Sequence, residues 1–317
     1  MSRRKNKINE IELQKSSQEQ SFEMCIHNFI RDCKIRNLSE HTIKYYKNEL
    51  YKTLKYFEQN ELTTNPSEMS SGFIQEQVIL RMMDDNRKET TINATLRALR
   101  SFFNYLEKEA FILNNPMTNV KLVRQKRRVI QTFNREQIHA ILRQPDRSTF
   151  TGLRDYTIMM FLLETGVRVK ELCGIRLHDI NWNDGVVVIR ETKGVKERTV
   201  PVQKKMKYQL SQYLQIRGQV ENDFLFINIE DEPLQIRAVQ SAIAKYGRKA
   251  GINNVRCSPH TFRHTFAKLS VQNGADVFSL QSVLGHSSME MVRNYVNLFT
   301  KDVAKSHKKF SPIEKLF

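Results

Sequence analysis

The sequence predicts a mainly α-helical chain of two domains, with one small antiparallel β-sheet placed in the second. Three observations lead there. Apolar residues recur at helical spacing through the first third of the chain, as in Phe22, Ile26, Phe29, Ile30 and Cys33. Asn115-Pro116 breaks that pattern and is followed by a basic run, after which helical periodicity resumes. Two β-branched segments, 186–189 and 198–202, flank a glycine-bearing tip and read as a hairpin. A length of 317 residues, 40% of them hydrophobic, can supply two cores.

Residues 1–20 are polar, with Arg3, Arg4, Lys5 and Lys7 clustered, and read as a solvated tail or an arm that touches phosphates. A first helix runs from Phe22. A second follows Ser39 as N-cap, with Tyr46, Leu50, Leu54 and Phe57 inward and Lys44, Lys47 and Lys55 outside. Residues 62–71 read as a loop and 71–83 as a third helix. A fourth, from Thr90 or Thr91, buries Ile92, Leu96, Leu99, Phe103 and Leu106 and presents Arg97, Arg100 and Asn104. Residues 21–120 thus form a small helical domain. The stretch 121–132 reads as a flexible basic linker carrying Lys121, Arg124, Lys126, Arg127 and Arg128, with a merely solubilising strap as the alternative.

The second domain, 133–300, opens with Asn134 as cap and Gln137 at capping-box spacing. The apolar helix 151–165 is the expected central core element, broken by Gly166. A short helix follows with Arg168 and Glu171 on one face. Residues 179–184 read as a turn-rich bridge, Lys193 sits at the hairpin tip, and Phe224-Leu225-Phe226 offers a further short strand. Residues 238–250 read as a helix with Lys245, Arg248 and Lys249 on its polar side. Ser258 and Pro259 open another helix, stopped at Asn273-Gly274. A short helix then ends at Gly285, His286 falls in a turn, and Ser287 with Glu290 caps the helix that carries Tyr295. Residues 301–317 form a basic, then apolar, C-terminal segment.

A formal charge of +17 and a pI near 9.7 call for a polyanionic partner, nucleic acid first. No apolar run reaches the roughly 20 residues that span a bilayer, and residues 1–10 lack the apolar region of a secretory signal. The four cysteines fit neither a zinc site nor a disulfide framework, and read as reduced, packed thiols of a cytoplasmic protein.

His260 and Arg263, three apart near a helix N-terminus, share a face that favours an anion such as phosphate. Alone, an HxxR pair arises readily by chance, His286 could be a polar turn residue, and Tyr295 among Val292, Val296 and Phe299 could be an aromatic on an apolar face. The order carries the weight: Gly166-Val167-Arg168-Val169-Lys170-Glu171-Leu172, then Lys193, then His260 and Arg263, then Gly285-His286, then Tyr295.

This ordered set resembles the tyrosine recombinase (phage integrase) family over about 133–300. The resemblance implies a helical core-binding domain and an α+β catalytic domain that close on double-stranded DNA as a C-shaped clamp. It implies that Tyr295 attacks phosphorus to form a 3′-phosphotyrosyl link while Arg168, Arg263 and His286 hold the non-bridging oxygens. Lys193 would protonate the leaving 5′ oxygen, His260 would assist proton transfer at Tyr295, and Glu171 would orient Arg168 and His260. Lys44, Lys47, Arg97, Arg100, Arg124, Lys126, Arg127, Arg128 and Arg248 are the candidate DNA contacts. No metal or cofactor is implied. The expected assembly is a tetramer on paired sites, with accessory DNA-bending or directionality factors as possible partners and the terminal segment docking on a neighbouring protomer. Lys268, Arg293, Asn294 and Asn297 depart from the family's usual residues and bear on sequence preference or protomer contacts. A type IB topoisomerase or an inactive DNA-binding regulator are the alternatives.

Overall fold

Side-chain caps start several helices where the sequence placed them. In the computed structural model, which describes residues 21–125, 130–190 and 197–285, Ser21 opens α1 (Phe22–Ile35) by accepting from the Met24 amide. Ser39 opens α2 (Glu40–Gln59) by accepting from Thr42. α3 covers 71–84, but its middle, Ile74–Leu80, is wound as a π-helix rather than as the plain α-helix expected. α4 (Glu89–Lys108) buries all five apolar residues assigned to it. The chain divides into two compact units, 1–128 and 129–317.

The first unit is built on aromatic packing. Phe22, Phe29, Phe57, Phe102 and Phe103 are fully buried, with Phe22 lying 5.0 Å from Phe102 and edge-on to Phe57 at 5.8 Å between ring centroids. Thr95 donates to the Glu49 carboxylate and the Tyr45 hydroxyl to the Ala94 carbonyl, tying α2 to α4. The start of the expected linker is not loose. Buried Asn93 bonds both the N–H and the C=O of Val123 at 2.8 Å, as a neighbouring strand would, and Val120 packs into the core.

At the other end of that linker, Phe133 N donates to Thr265, Lys268 donates to Thr132, and Gln131 donates to the Asn254 carbonyl, so 131–133 belong to the second unit's packing. α5 (Arg135–Leu142) carries the full Asn134–Gln137 capping box. α6 (Phe150–Thr165) is the central helix, burying Ile158, Met159, Phe161 and Leu162. Gly166 ends it at φ 61°, where a Cβ would lie 2.3 Å from the Phe266 ring, so both the left-handed backbone and the close approach require glycine.

After α7 (Val169–Gly174), the sheet runs in the order β1 (Ile180–Asn181), β2 (Val186–Ile189), β3 (Arg198–Pro201), all antiparallel. β1 lies where a turn-rich bridge was expected. Val187 faces Val200 and Ile189 faces Arg198 across the hairpin. Phe224-Leu225-Phe226 does not join that sheet. The Arg217 guanidinium takes the Phe224 carbonyl, leaving an isolated bridge to Arg176. α8 (Lys204–Arg217), α9 (Ile236–Lys249), α10 (Pro259–Gln272) and α11 (Val277–Leu284) follow. Among the described residues no helix is long and apolar enough to cross a membrane. No disulfide joins the four cysteines, and burial pushes the Cys25 and Cys173 thiols up to about 11.

Candidate active site

The site begins where α6 stops. Arg168 is the N-cap of α7, with φ −72° and ψ 148°, so it lies just outside the helix rather than on its face. Glu171 reaches back across the first turn. Its Oε2 accepts the Arg168 N–H at 2.7 Å, and its Oε1 accepts Arg168 Nη1 at 2.8 Å. The expected second partner was His260; the structure supplies Arg198 instead. Arg198 Nη1 and Nη2 meet Glu171 Oε1 and Oε2 at 3.1 and 2.8 Å in a bidentate fork. Burial alone would raise the Glu171 carboxyl pKa, but the hydrogen bonds from Arg198 and Arg168 outweigh it and hold it below the usual carboxylate range.

The opposite wall comes from α10 and α11. Ser258 caps α10 by accepting from Thr261, with Pro259 in the first turn. One turn in, Arg263 is only 4% exposed, and it donates to the Gly166 carbonyl at 2.6 Å and the Leu284 carbonyl at 2.8 Å. α11 opens on Asp276 and ends at Gly285, φ 63°. Its last carbonyls, which no helical N–H can reach, each receive an arginine. Arg198 takes Val283 at 2.9 Å, Arg263 takes Leu284, and Arg168 takes Gly285 at 3.2 Å. Cations at this end also oppose the negative pole of the helix dipole.

Arg168 and Arg263, distant in sequence, are thus seated on adjacent carbonyls. Among the described residues, three guanidinium groups gather at the end of α11, two of them held by the Glu171 carboxylate. Arg168 keeps 38% of its side chain exposed and so reaches solvent from the cluster. His260 lies on the exposed rim. Desolvation, then the charges of Arg263, Arg256 and Arg168, push its imidazole below the ordinary range and favour the neutral ring at neutral pH.

Lys193, His286 and Tyr295 lie outside the described residues. The strand ends flanking Lys193 are fixed: Arg190 pairs with Glu197 at 3.2 Å and with buried Asp179 at 2.7 Å. Of the candidate DNA contacts, Lys44, Lys47, Arg97, Arg124 and Arg248 are exposed, whereas Lys126, Arg127 and Arg128 lie outside the described residues. Arg100 does not present its charge as expected. It is half-buried, and its Nη2 caps the Val120 carbonyl at 2.6 Å.

Arg198 was assigned no role by the sequence reading. The signal was there in the strand alternation, which puts it on the same face as buried Val200 and demands partners for an inward cation.

The model of the phage integrase family matches residues 131–302, and that of the phage integrase N-terminal SAM-like domain matches 26–110. A tyrosine recombinase XerC of Thermodesulfovibrio yellowstonii is 33% identical over 299 residues, covering 92% of this chain and 97% of that protein. A tyrosine recombinase XerD of Listeria monocytogenes is 28% identical over 284 residues, covering 87% and 94%. In fold, the chain is similar to the XerH site-specific recombinase bound to its palindromic difH substrate, with a TM-score of 0.73, 22% identity and coverage of 90% and 84%. It is also similar to a lambda integrase dimer bound to a core site, with a TM-score of 0.75, 18% identity and coverage of 92% and 81%. With the ordered motif, the converged arginines and these relatives in hand, the chain belongs to the phage integrase family of tyrosine recombinases, enzymes that break and rejoin DNA.

Proposed function

We propose that this recombinase cuts DNA at specific sites through Tyr295, using Arg168 and Arg263 to hold the scissile phosphate. The seating of those two guanidinium groups on adjacent carbonyls at the end of α11 carries the reading. Planar forks suit the non-bridging oxygens, and guanidinium groups clustered there would stabilise the extra negative charge that develops on those oxygens. As the Tyr295 oxygen bonds to phosphorus, the bond to the 5′ oxygen breaks; the phenolic proton passes toward neutral His260, and the 5′ oxygen takes a proton from Lys193. An unperturbed phenol has a pKa of about 10, so this cationic field is what makes attack feasible near neutrality. Because the ester is conserved in the 3′-phosphotyrosyl link, a 5′ hydroxyl of another strand can reverse the step without ATP.

His286 follows Gly285 directly, and the roughly 3.8 Å between successive Cα atoms supports its role as a third donor to the same oxygens. The Arg190–Glu197 pair holds together the two ends of the segment that contains Lys193, which supports a Lys193 near the cluster. Lys44, Lys47, Arg97, Arg124 and Arg248, with Lys126, Arg127 and Arg128, would neutralise phosphates of one duplex. Assembly as a tetramer on paired sites, with the 301–317 segment docking on a neighbour, fits a reaction that exchanges two duplexes.

A nicked suicide substrate tests the reading. The wild type is expected to trap a covalent complex whose sequenced DNA defines the site, and Tyr295→Phe is expected to bind the same DNA without trapping. A complex surviving that change removes Tyr295 as nucleophile. Relaxed topoisomers as the sole product from paired sites would favour a topoisomerase.

A further inference from the structure

A single side chain joins three elements of the described site, α7, β3 and α11. Arg198 stands at the start of β3, and the segment joining β2 to β3 contains Lys193. It grips both oxygens of Glu171 and, through Nε, the Val283 carbonyl. Its side chain is 10% exposed, so water offers no substitute for these partners. The Gly285 backbone lies flat against the guanidinium: a Cβ there would come within 2.8 Å of Arg198 Cζ, and the residue is held at φ 63°. Glu171 and Gly285 are in turn the groups that fix the Arg168 guanidinium, at 2.8 and 3.2 Å.

We propose that Arg198 is a positioning residue of the recombination reaction: it sets Arg168 through Glu171, and it sets the carbonyl edge of α11 on which Arg168 and Arg263 rest. Arg198 touches no phosphate oxygen itself. A lysine could keep the charge but not the geometry, because one ammonium cannot span two carboxylate oxygens and a carbonyl held on separate sides of a planar fork. This inference rests on the proposed roles of Arg168 and Lys193.

The test separates the two ways Arg198 could act. If it works through Arg168, its loss weakens stabilisation of the phosphoryl oxygens. If it works through the hairpin, its loss weakens proton delivery to the leaving group. A suicide substrate with sulfur in place of the bridging 5′ oxygen distinguishes them. Its P–S bond breaks to release a thiolate, whose parent thiol has a pKa of about 8.5, so no proton need be supplied.

Single-turnover cleavage of the ordinary and the sulfur-bridged substrate is measured for the full chain and for Arg198→Lys and Lys193→Ala. The expected results are a cleavage loss of tenfold or more for Arg198→Lys on both substrates, with DNA affinity unchanged, and a loss for Lys193→Ala that the sulfur substrate restores. Recovery of Arg198→Lys on the sulfur substrate would overturn the proposal, as would wild-type cleavage of the ordinary one. Gly285→Ala, which pushes the guanidinium aside while keeping its charge, guards against a fold defect in Arg198→Lys. It should show the same loss on both substrates, and recovery by sulfur there would also overturn the proposal. Failure of sulfur to restore Lys193→Ala would instead strike the assigned role of Lys193 and leave the Arg198 comparison standing.

Discussion

Replacing Glu171 with Gln removes one charge while preserving shape, and the structure fixes what is lost. Each carboxylate oxygen takes one bond from Arg168 and one from Arg198. Whichever oxygen becomes an amide nitrogen, one bond to each arginine disappears and an N–H is turned toward other donors. Charge-assisted hydrogen bonds contribute about 1.5–3 kcal/mol each, for a gross loss of about 3–6 kcal/mol. Arg168 is 38% exposed and recovers part of its share from water, so about 2–4 kcal/mol is the expected net destabilisation. For a unit of this size each kcal/mol moves Tm by about 2–4 °C, which places the drop at about 5–15 °C. Trp182 is the only tryptophan and lies in the second unit, so its fluorescence reports that unit's unfolding in the intact chain. The pH dependence follows from the sign of the shift. The folded carboxyl lies below its unfolded value of about 4.3, so its contribution is complete above that pH and disappears as pH falls through the folded value. Wild type and Glu171→Gln should differ by the full amount from pH 5 to 7, and the gap should narrow as pH falls below about 4.3. Equal Tm values at pH 7, or a gap that persists undiminished to pH 3, would refute the reasoning.

Arg168→Lys keeps a charge at the site but loses the fork, and should cost about 2–4 kcal/mol of transition-state stabilisation in single-turnover cleavage; rates near wild type would remove Arg168 from the reaction. Arg97→Ala should lower the slope of log affinity against log salt by about 0.9. Arg100→Ala should leave that slope unchanged and instead destabilise the first unit by about 1–2 kcal/mol in urea, because its guanidinium is spent on the Val120 carbonyl. His260 is depressed by desolvation and by Arg263, Arg256 and Arg168, so the acid limb of cleavage that His260→Gln abolishes should have its midpoint below about 6.5. A midpoint at or above that value would show that the ring does not sit in this field.

Local chemistry made much of the architecture readable. Ser39, the Asn134–Gln137 pair, Ser258 and Gly285 act within one turn of themselves, and each caps the helix end assigned to it. What escaped depends on distant partners. The inward stripe of α8, Met206, Leu210, Tyr213 and Arg217, is diluted by a cation whose burial makes sense only once the Phe224 and Asn222 carbonyls are beside it. Asn93 looks like a polar residue on a helix until Val123 is laid against it. In the site, the motif named Arg168, Glu171, His260 and Arg263, but their seating could not be read from spacing, since the seats are backbone carbonyls that carry no residue identity. Arg198 escaped for the same reason.

The dependence of Arg168, Arg198 and Arg263 on the end of α11 bears on biosynthesis. A ribosome must deliver the chain through Gly285 before those guanidinium groups find the last of their oxygens, the three successive carbonyls of residues 283–285. A product cut short there keeps the Glu171 and Gly166 oxygens but lacks the carbonyl edge that gathers the three cations in one place.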